Sequence, residues 1–429
     1  MSSFFTQRNL TIAMFIGIGL GVALGFGAQW AQIPALFRII DSISFLGELF
    51  LALLQMVVVP LVLFSVTTGV ANLHGGREVG RKLGKTVAYF FGTSFVAVLI
   101  GIFVTNLAGP GRGLDPEVLY AQLPEDVVEA AQARQDQVAL AAPQTLNEFL
   151  EVQINNLFMN PFRSLAEMNL VGVVMFSLLL GFMIMLLGEA GKPARDLFNA
   201  LNKVMMKMVS IVIWFAPVGI FALSANLLSS IGPDIIAPLL KYVLTVAFGL
   251  GIQFLVVFPL IIFFICRYNP LRFVYRVKDA LLLALASASS AATLPVTLRA
   301  VEEEVGVDKD SANLVVPMGA TVNMNGTALY EAVAAIFVAQ LIGIPMDLGT
   351  QFILFFTATL AAIGTAGIPQ GGLVTMVIVF TALGIPLEFI ALLIVVDRPV
   401  DHLRTMVNVC GDAVGSLFLS TSEKKFIAK

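Results

Sequence analysis

The chain has 429 residues, of which 58% are hydrophobic and 12% are charged, whereas soluble domains carry about 25% charged residues. Together with a mean hydropathy of +0.92, this composition excludes an ordinary soluble protein and indicates an all-α polytopic membrane protein. A net charge of -3 excludes the basic surface of a nucleic-acid-binding protein. The two cysteines, Cys266 and Cys410, lie in apolar stretches and provide no disulfide framework. The sequence has no HExxH, GxSxG or P-loop motif, so the common enzyme sites are excluded as well.

Six uninterrupted apolar runs come first along the chain. The first run follows a short polar start and continues to about residue 36, so we expect a first span rather than a cleaved signal peptide. Runs of spanning length, about 20 residues, follow at 43–71, 86–107, 166–187, 204–228 and 236–266. The pattern predicts six conventional transmembrane helices.

The distribution of charge predicts the orientation of these helices. Lys and Arg cluster at 77–85, 192–207, 267–278 and 424–429, and the positive-inside rule assigns these segments to the cytoplasm. The segment 110–151 is polar and rich in acids, which suits an outside loop after the third helix. We therefore expect both termini in the cytoplasm and, since the loops are short, a prokaryotic inner (cell) membrane.

Beyond Lys278, small and polar residues interrupt the hydrophobic stretches. Segment 279–300 has an apolar arm, a Ser/Ala-rich break ending at Pro295 and a second short arm, and segment 350–381 repeats this design around IGTAGIPQGG. Irregular backbone at bilayer depth is tolerated where it is buried in protein or lines a cavity, and paired interruptions indicate a transporter site. We predict two re-entrant hairpins. Two full spans with small-residue packing faces are the alternative.

A seventh helix, residues 309–343, is predicted between the two hairpins, and its centre is polar. The small and polar residues there are Gly319, Asn323, Asn325, Gly326, Thr327 and Glu331. Gly and Asn favour local unwinding, which frees backbone carbonyls to coordinate a cation. The alternative is that these residues serve close packing and interhelical hydrogen bonds.

The last predicted helix, residues 386–420, carries a polar stripe. Its members recur at steps of four, four, three and four: Asp397, Asp401, Thr405, Asn408 and Asp412. Helical periodicity places these positions on one face. Charged residues at a helix centre in the bilayer cost about 2.5–3.5 kcal/mol each, so they are normally paired and functional.

Arg404 lies beside this stripe, one turn after Asp401. Its planar guanidinium suits a bidentate contact with a substrate carboxylate, and Asp401 suits an ammonium group. Together these two side chains match the two ends of an amino acid. An internal ion pair of Arg404 with Asp401 or Glu331 is the alternative.

Four motifs stand out in the polar part of the chain: SASSAATLP at 287–295, NMNGTALYE at 323–331, GTAGIPQGG at 364–372 and DHLRTMVNVCGD at 401–412. In this order they resemble motifs of the dicarboxylate/amino-acid:cation symporter family, which includes the animal excitatory amino-acid transporters and the archaeal aspartate transporters. The resemblance covers essentially the whole chain. It is densest between residues 285 and 415.

The resemblance implies an elevator-type homotrimer with eight transmembrane helices and two re-entrant helical hairpins. The scaffold would comprise helices one and two (1–75) and the outside loop with helices four and five (109–230). The mobile transport part would comprise helix three (76–108) and residues 231–429, which hold helix six, the first hairpin (279–300), helix seven (309–343), the second hairpin (350–381) and helix eight (386–420).

A binding site for an acidic amino acid is also implied by the resemblance. Arg404 would hold the side-chain carboxylate, Asp401 and Thr405 the amino group, and Asn408 and Thr327 the main carboxylate. The backbone of Ser290 and Ile368 and a close approach at Gly372 would complete the pocket. The second hairpin would be the outer gate.

Relatives of this type have three sodium sites, and the first two are implied here as well. Site one would use the carbonyls of Gly319, Asn323 and Asn408 with the carboxylate of Asp412. Site two would use carbonyls near Thr321, Ala362, Ile363 and Thr365. No cofactor other than sodium ions is expected. The expected partners are an acidic amino acid, cations, the lipid bilayer and two further copies of the chain, without nucleic acid.

The third sodium site departs from the family pattern. Thr93, Ser94 and Asn323 match it, but Phe90 replaces a Tyr and Asn325 replaces the Asp of NMDGT. Hard cations depend on oxygen ligands, and the affinity of a site rises with the charge of its ligands. We therefore predict that the third site is impaired and that the coupling to sodium is altered.

Two titratable residues are candidates for carrying a proton instead. Glu331 matches the animal relatives, in which a Glu at this place is linked to proton transport. His402 stands where animal relatives have Arg and archaeal relatives have Met, and a His titrates near physiological pH. The alternatives are that Glu331 is a static partner of Arg404 and that His402 is a spacer packed behind the site.

The sequence therefore predicts a secondary-active symporter of acidic amino acids, driven by a cation gradient in which protons share or replace the role of sodium. A strictly sodium-coupled carrier, or a carrier of neutral amino acids or C4-dicarboxylates, is the alternative within transport. Neutral substrates would leave Arg404 unpaired, and a dicarboxylate without an amino group would leave Asp401 unmatched. An ion channel is the alternative from a different class; an enzyme is not expected.

Overall fold

The computed structural model describes residues 7–72, 77–113, 158–364 and 371–423, together with 120, 128–129, 131–133, 151 and 154–155. Its regular secondary structure within these ranges is helical. In chain order the helices are α1 (Gln7–Ala31), α2 (Pro34–Ala71), α3 (Arg77–Ala108), α4 (Pro161–Ala166), α5 (Leu170–Leu186), α6 (Lys192–Ile213), α7 (Ala216–Ile231), α8 (Ile236–Ile252), α9 (Pro270–Ser287), α10 (Ser290–Arg299), α11 (Lys309–Val322), α12 (Asn325–Leu341), α13 (Leu348–Gly364), α14 (Gly371–Leu383) and α15 (Ile390–Ser422).

Several of these helices are long and apolar enough to cross a membrane. Within the described residues five qualify: Ile12–Ala31, Pro34–Ala71, Arg81–Ala108, Ile236–Ile265, in which α8 continues through π-helical turns, and Lys309–Leu341. The bent pair α6 and α7 adds a sixth if it is counted as one span. The all-helical fold with several apolar helices agrees with the prediction of a polytopic membrane protein.

The boundary between the first two helices differs from the prediction. The first apolar run was expected to continue to about residue 36 and the second to begin at 43, whereas α1 ends at Ala31 and α2 begins at Pro34. Gln32 adopts a positive φ of 51° and Ile33 is extended. Proline disfavours helical backbone at the preceding residue and is well suited to the first turn of a helix, so Pro34 moves the boundary to this point.

The run at 204–228 is not the single straight helix that the sequence predicted. It is divided between α6 and α7, which meet at an angle of 52°. At the junction the amides of Trp214 and Phe215 bond to carbonyls three residues earlier rather than four. Pro217 has no amide hydrogen to continue the helical ladder, so the chain bends just before it.

The first predicted hairpin coincides with a helix–turn–helix formed by α9 and α10. The turn lies at Ala288, which is left-handed with a φ of 49°, and Ser289 caps α10 by accepting a bond from an amide. The first arm begins at Pro270 rather than at residue 279, because the Asn269 side chain caps its first turn and the proline favours a start there.

The predicted seventh helix is interrupted as its Gly and Asn content indicated. α11 ends at Val322, Asn323 is extended with φ -86° and ψ 90°, and α12 starts at Asn325. Local unwinding within 309–343 is therefore confirmed. The second predicted hairpin is represented by α13 and α14, and its connecting residues 365–370 lie outside the described residues.

The helices pack in two groups. α1 packs on α7, and α2 packs on α5, α6 and α7, whereas α3 packs on α12, and α15 on α9, α11 and α12. Glycines bring α1 against the α7 backbone: a Cβ on Gly21 would lie 2.7 Å from the carbonyl oxygen of Phe221, and one on Gly25 would lie 2.9 Å from that of Ala225. Small residues permit such close approach between membrane helices.

Candidate functional site

The polar stripe of α15 lies inside the molecule. Arg404, Thr405, Asn408 and Asp412 are buried, and Asp401 is half-buried. α15 packs against α9, α11 and α12, so its polar face meets the first helix–turn–helix and the unwound segment between α11 and α12. The structure thus brings together the residues that the sequence singled out on separate elements.

Arg404 is the centre of a charged cluster. Its Nη2 donates a 2.5 Å hydrogen bond to Oδ1 of Asp401, and its Nη1 is 3.9 Å from Oδ1 of Asp397. The guanidinium carbon lies 4.6 Å from the ring centroid of Tyr330, in cation–π geometry. The internal ion pair with Asp401 is therefore present, but buried Nη1 has no hydrogen-bond partner within the described part of the chain.

Two glycines make room for Arg404. A Cβ on Gly372 would lie 2.5 Å from both Nη1 and Nη2 of Arg404, and a Cβ on Gly326 would lie 2.7 Å from the Arg404 carbonyl oxygen. The backbone of α14 therefore lies close to both terminal nitrogens of the guanidinium. A close approach at Gly372 was implied by the family resemblance.

Asn408 joins α15 to the start of α12. Its Oδ1 accepts a 2.8 Å hydrogen bond from the amide of Gly326, and its Nδ2 donates to Oγ1 of Thr327 over 3.3 Å. Asn408 and Thr327, the two residues assigned to a main carboxylate, are therefore in contact. Thr405, the residue after Arg404, is buried as well.

The residues that the resemblance assigns to a first sodium site also meet. Nδ2 of Asn323 donates to Oδ1 of Asp412 over 2.8 Å and to the carbonyl of Asn408 over 3.2 Å. Gly319 lies directly against Asp412, since a Cβ there would overlap its Oδ1. The Oδ1 of Asn323 is buried without a hydrogen-bond partner in the described ranges. The Asp412 carboxylate, the Asn408 carbonyl and this amide oxygen are oxygen ligands of the kind that hard cations require.

The elements of site two are placed only in part. Thr321 lies in the last turn of α11, and Ala362 and Ile363 lie in the last turn of α13. The last carbonyls of a helix have no intrahelical donor and are free to accept other bonds. Thr365 and Ile368 lie outside the described residues, and Ser290 is the first residue of α10.

The third site is closed by hydrogen bonds within the protein. Oδ1 of Asn325 accepts a 2.6 Å bond from Ser94 and a 3.4 Å bond from Thr93, both on α3. Phe90 is fully buried beside them and offers no oxygen. Nδ2 of Asn325 is buried without a hydrogen-bond partner in the described structure. Thr93 and Ser94, two of the three predicted matches, meet Asn325 here, and all three side chains are neutral.

Glu331 does not pair with Arg404. One of its oxygens accepts a short hydrogen bond from Thr375 of α14, and the other is buried without a hydrogen-bond partner among the described residues. Oγ1 of Thr375 also lies 2.9 Å from the Gly372 carbonyl oxygen. In this structure Glu331 therefore connects α12 to α14, and the alternative of a direct ion pair with Arg404 is not observed.

His402 is more than a spacer in this structure. Its Nδ1 lies 2.6 Å from the carbonyl oxygen of Leu285, near the end of the first arm α9. The terminal carbonyls of a helix have no partner within it. A donor on Nδ1 is therefore well placed there, and it ties α15 to the first helix–turn–helix.

Sequence reasoning missed three residues of this site. Tyr330 faces the guanidinium, Thr375 binds Glu331, and Nη1 of Arg398 lies 3.8 Å from Oδ2 of Asp401. Arg398 had a visible signal, because a charged residue one turn before Asp401 within an apolar helix is costly unless it is paired. Tyr330 and Thr375 lie among apolar residues and carried no comparable signal.

Known proteins are similar to this chain over nearly its whole length. The profile of the sodium:dicarboxylate symporter family matches residues 10–422. Excitatory amino acid transporter 3 of Mus musculus is 37% identical over 96% of this chain and 84% of its own length, and excitatory amino acid transporter 4 of the same animal is 36% identical over 96% and 83%. A putative sodium-dependent excitatory amino acid transporter, glt-4 of Caenorhabditis elegans, is 34% identical over 97% and 90%.

Proposed function

We propose that this chain, which belongs to the sodium:dicarboxylate symporter family, carries glutamate and aspartate across the membrane in symport with cations. The family consists of transporters rather than enzymes, and the similar proteins are named as excitatory amino acid transporters.

The buried and unpartnered Nη1 of Arg404 is the observation that carries the substrate assignment. A guanidinium forms two parallel bonds with a carboxylate, and here one of its nitrogen groups is held by Asp401 while the other faces the α14 backbone. A ligand side-chain carboxylate would bind Arg404 and free Oδ1 of Asp401 for the ligand ammonium. Thr405 would assist the ammonium, and Asn408 with Thr327 would hold the main carboxylate.

Neutral amino acids fit this site less well than acidic ones, since they would leave the Arg404 guanidinium without a carboxylate. An ion channel is also disfavoured. Channels use weak, successive binding along a continuous path, whereas this chain concentrates opposite charges on α15 in one buried cluster.

Protons would share or replace the role of sodium in driving transport. Site one keeps its carboxylate, Asp412, and the third site has lost its only anion through Asn325. A buried carboxyl group such as Glu331, with one oxygen unpartnered among the described residues, is suited to carry a proton. Together these features support a mechanism in which fewer sodium ions are transported with each substrate molecule. Glu331 and His402 are the candidate proton carriers.

The movement would follow the two packing groups. α1, α2 and α5–α7 would form a scaffold, and α3 with α8–α15 would form a transport part that moves as an elevator in each subunit of a homotrimer. The two interrupted segments would be re-entrant hairpins, with the second as outer gate. Both termini would face the cytoplasm at the inner membrane, as the clusters of Lys and Arg indicate.

Binding of substrate to the purified protein, titrated against sodium at two pH values, tests the proposal. We expect aspartate and glutamate to bind, with a logarithmic sodium dependence well below a slope of about three and a marked dependence on pH. A slope near three at both pH values would contradict the proton assignment, and binding of serine in preference to aspartate would contradict the substrate assignment.

A further inference from the structure

A cavity of about 240 Å³ lies at the ends of α3 and α12, and no described residue of α15 lines it. It is formed by the last turn of α3, the last turns of α12 and the segments that follow these two helices. Its volume is below the roughly 300–1,000 Å³ of sites for drug-sized molecules, so it suits a small ligand. The polar residues of its lining are Asn106, Arg112 and Gln340, and the apolar ones include Ile336, Ala339 and Met346.

The walls of this cavity are joined by contacts between α12 and the segment after α3. The amide of Gly111 donates a 3.2 Å hydrogen bond to Oε1 of Gln340, and Nε2 of Gln340 donates to the Thr105 carbonyl over 3.4 Å. A Cβ on Gly111 would lie 2.4 Å from the carbonyl oxygen of Phe337, so glycine permits this approach. Gly343 has a positive φ of 67°, which turns the chain after α12 at little steric cost. The two sides of the cavity are therefore held to each other.

The charge at the cavity is positive. Arg112 is exposed, and a Cβ on Gly109 would lie 2.9 Å from its Cδ. Nζ of Lys241, near the start of α8, donates to the carbonyl of the same Gly109 over 3.1 Å. The described lining contains no Asp or Glu, and the neighbouring Asp347 caps α13 by accepting a 2.8 Å bond from the Thr350 amide. A cleft with charges of one sign attracts ions of the opposite sign, so the cavity favours an anion.

We propose that this cavity is a second binding site, for a small organic monocarboxylate with an apolar body. Arg112 binds the carboxylate, for which a guanidinium is well suited, and the apolar walls cover the rest of the ligand. An amino acid fits poorly, because its ammonium group would lie near Arg112 and Lys241 without an acid in the described lining. α3 and α12 both belong to the proposed transport part, so the site stays intact when that part moves. The inference does not depend on the proposed function, because binding here involves neither Arg404 nor transport.

Binding of benzoate, a monocarboxylate with an apolar ring, tests the inference. The full-length protein is isotope-labelled at its methionine methyl groups and placed in lipid nanodiscs, and the NMR signal of Met346 is assigned by its absence in M346L. Benzoate is titrated with and without aspartate, and benzamide, which has the same ring but no charge, is titrated for comparison. We expect a saturable shift of the Met346 signal with a dissociation constant of about 1–10 mM for benzoate, unchanged by aspartate, and about tenfold weaker binding of benzamide.

Two variants locate the site. R112Q should lower the affinity for benzoate about tenfold and leave that for benzamide unchanged, because it removes the charge and keeps the walls. A339L, which places a larger apolar side chain in the wall, should weaken both ligands. R299Q removes an exposed guanidinium elsewhere and should change neither constant.

Several results would overturn the inference: no saturable shift of the Met346 signal, equal affinity for benzoate and benzamide, unchanged benzoate affinity in R112Q, or displacement of benzoate by aspartate. Arg112 is exposed, so R112Q is expected to fold, and it decides the matter alone if A339L does not fold. Failure of benzoate binding leaves the proposed function intact, because that function is tested separately by the sodium titration of aspartate and glutamate binding.

Discussion

The class of ligand that the candidate site can bind depends on single residues. Arg404 is 4% exposed, and the strength of a charge-assisted hydrogen bond in such surroundings depends on how completely the charge is paired. Among the described residues, Asp401 accepts the one side-chain hydrogen bond of its guanidinium, at 2.5 Å. A ligand with both a carboxylate and an ammonium group would replace the Arg404–Asp401 ion pair by two ion pairs, one with each residue. This exchange is the physical basis of the proposed preference for acidic amino acids.

Replacement of Arg404 tests this exchange. R404A is expected to weaken aspartate and glutamate binding by about a hundredfold or more, because the ligand carboxylate would be buried without a cation. Isothermal titration calorimetry with the purified protein measures the loss, and R299A serves as the matched control because that guanidinium is 75% exposed. Native-like aspartate affinity in a folded R404A protein would remove Arg404 from the substrate site.

The proposed third sodium site, which this chain would have lost, can be tested by gain of function. Asn325 and Phe90 are the two departures, and Ser94 and Thr93 already point at position 325. The double variant F90Y/N325D restores an anion and an oxygen, so its substrate binding should depend more steeply on sodium, with the slope increasing by up to about one. The single variant F90Y, which adds no charge, is the control. A slope unchanged by the double variant would mean that these two residues do not control sodium coupling.

The helices are also held together by contacts outside the polar stripe of α15. The end of α15 is attached to α3 by Glu423, which accepts hydrogen bonds from Lys85, at 2.6 Å, and from Arg81. The hydrogen bond from Lys85, with the charges of both basic residues, lowers the pKa of the Glu423 carboxyl group. A depressed pKa means that folding favours the ionised form.

The stability that Glu423 contributes should therefore depend on pH with a defined sign. It is fully present above the ordinary pKa of a glutamate, about 4.3, and is lost as the pH falls through the lower folded-state value. E423Q should lower the midpoint of thermal unfolding by roughly 2 °C at neutral pH, a modest effect because Arg81 is 56% exposed and screened by solvent.

The check is thermal unfolding of E423Q and the native protein in detergent at several pH values. The difference between the two midpoints should shrink below about pH 4. E303Q provides the control, since Glu303 pairs with Arg299 in a more exposed position. A difference that grows toward low pH would have the opposite sign and would contradict the assignment of Glu423 as an ionised partner.

At the scale of the whole molecule, much apolar surface remains outside the packed interior. Large hydrophobic side chains of α1, of α8 and of the π-helical turns after α8 are exposed, among them Phe15, Leu20, Phe248 and Phe264. In contrast, α12 is buried along almost its full length. The exposed surfaces suit contact with lipid or with neighbouring subunits, and the proposed homotrimer would cover part of them.

The oligomeric state is directly measurable. Native mass spectrometry of the protein released from detergent or lipid nanodiscs should give a complex of three copies of the 46.0 kDa chain. The expected species persists on dilution, because obligate interfaces bury large apolar areas. A monomer as the dominant species in nanodiscs would contradict the proposed assembly, while leaving the substrate site within one chain unaffected.

The sequence by itself predicted most of the helices of this protein and the types of residue in its candidate site. Hydrophobic runs defined most of the membrane helices because a bilayer demands continuous apolar stretches. Helical periodicity placed Asp401, Asn408 and Asp412 on one face, and the Gly and Asn residues around Asn323 indicated the unwound segment. Where the prediction was wrong, at Pro34 and before Pro217, a local backbone effect outweighed the hydropathy pattern.

Only the tertiary structure decided which charges face one another. Periodicity along α15 could not reveal that Phe15 of α1 lies against Arg398, or that Glu331 binds Thr375 rather than Arg404. Such contacts join residues that are distant along the chain, and they depend on how the helices rotate and approach as they pack. The identity of a side chain is encoded locally, whereas the partner that neutralises it is selected by the packing of the whole molecule.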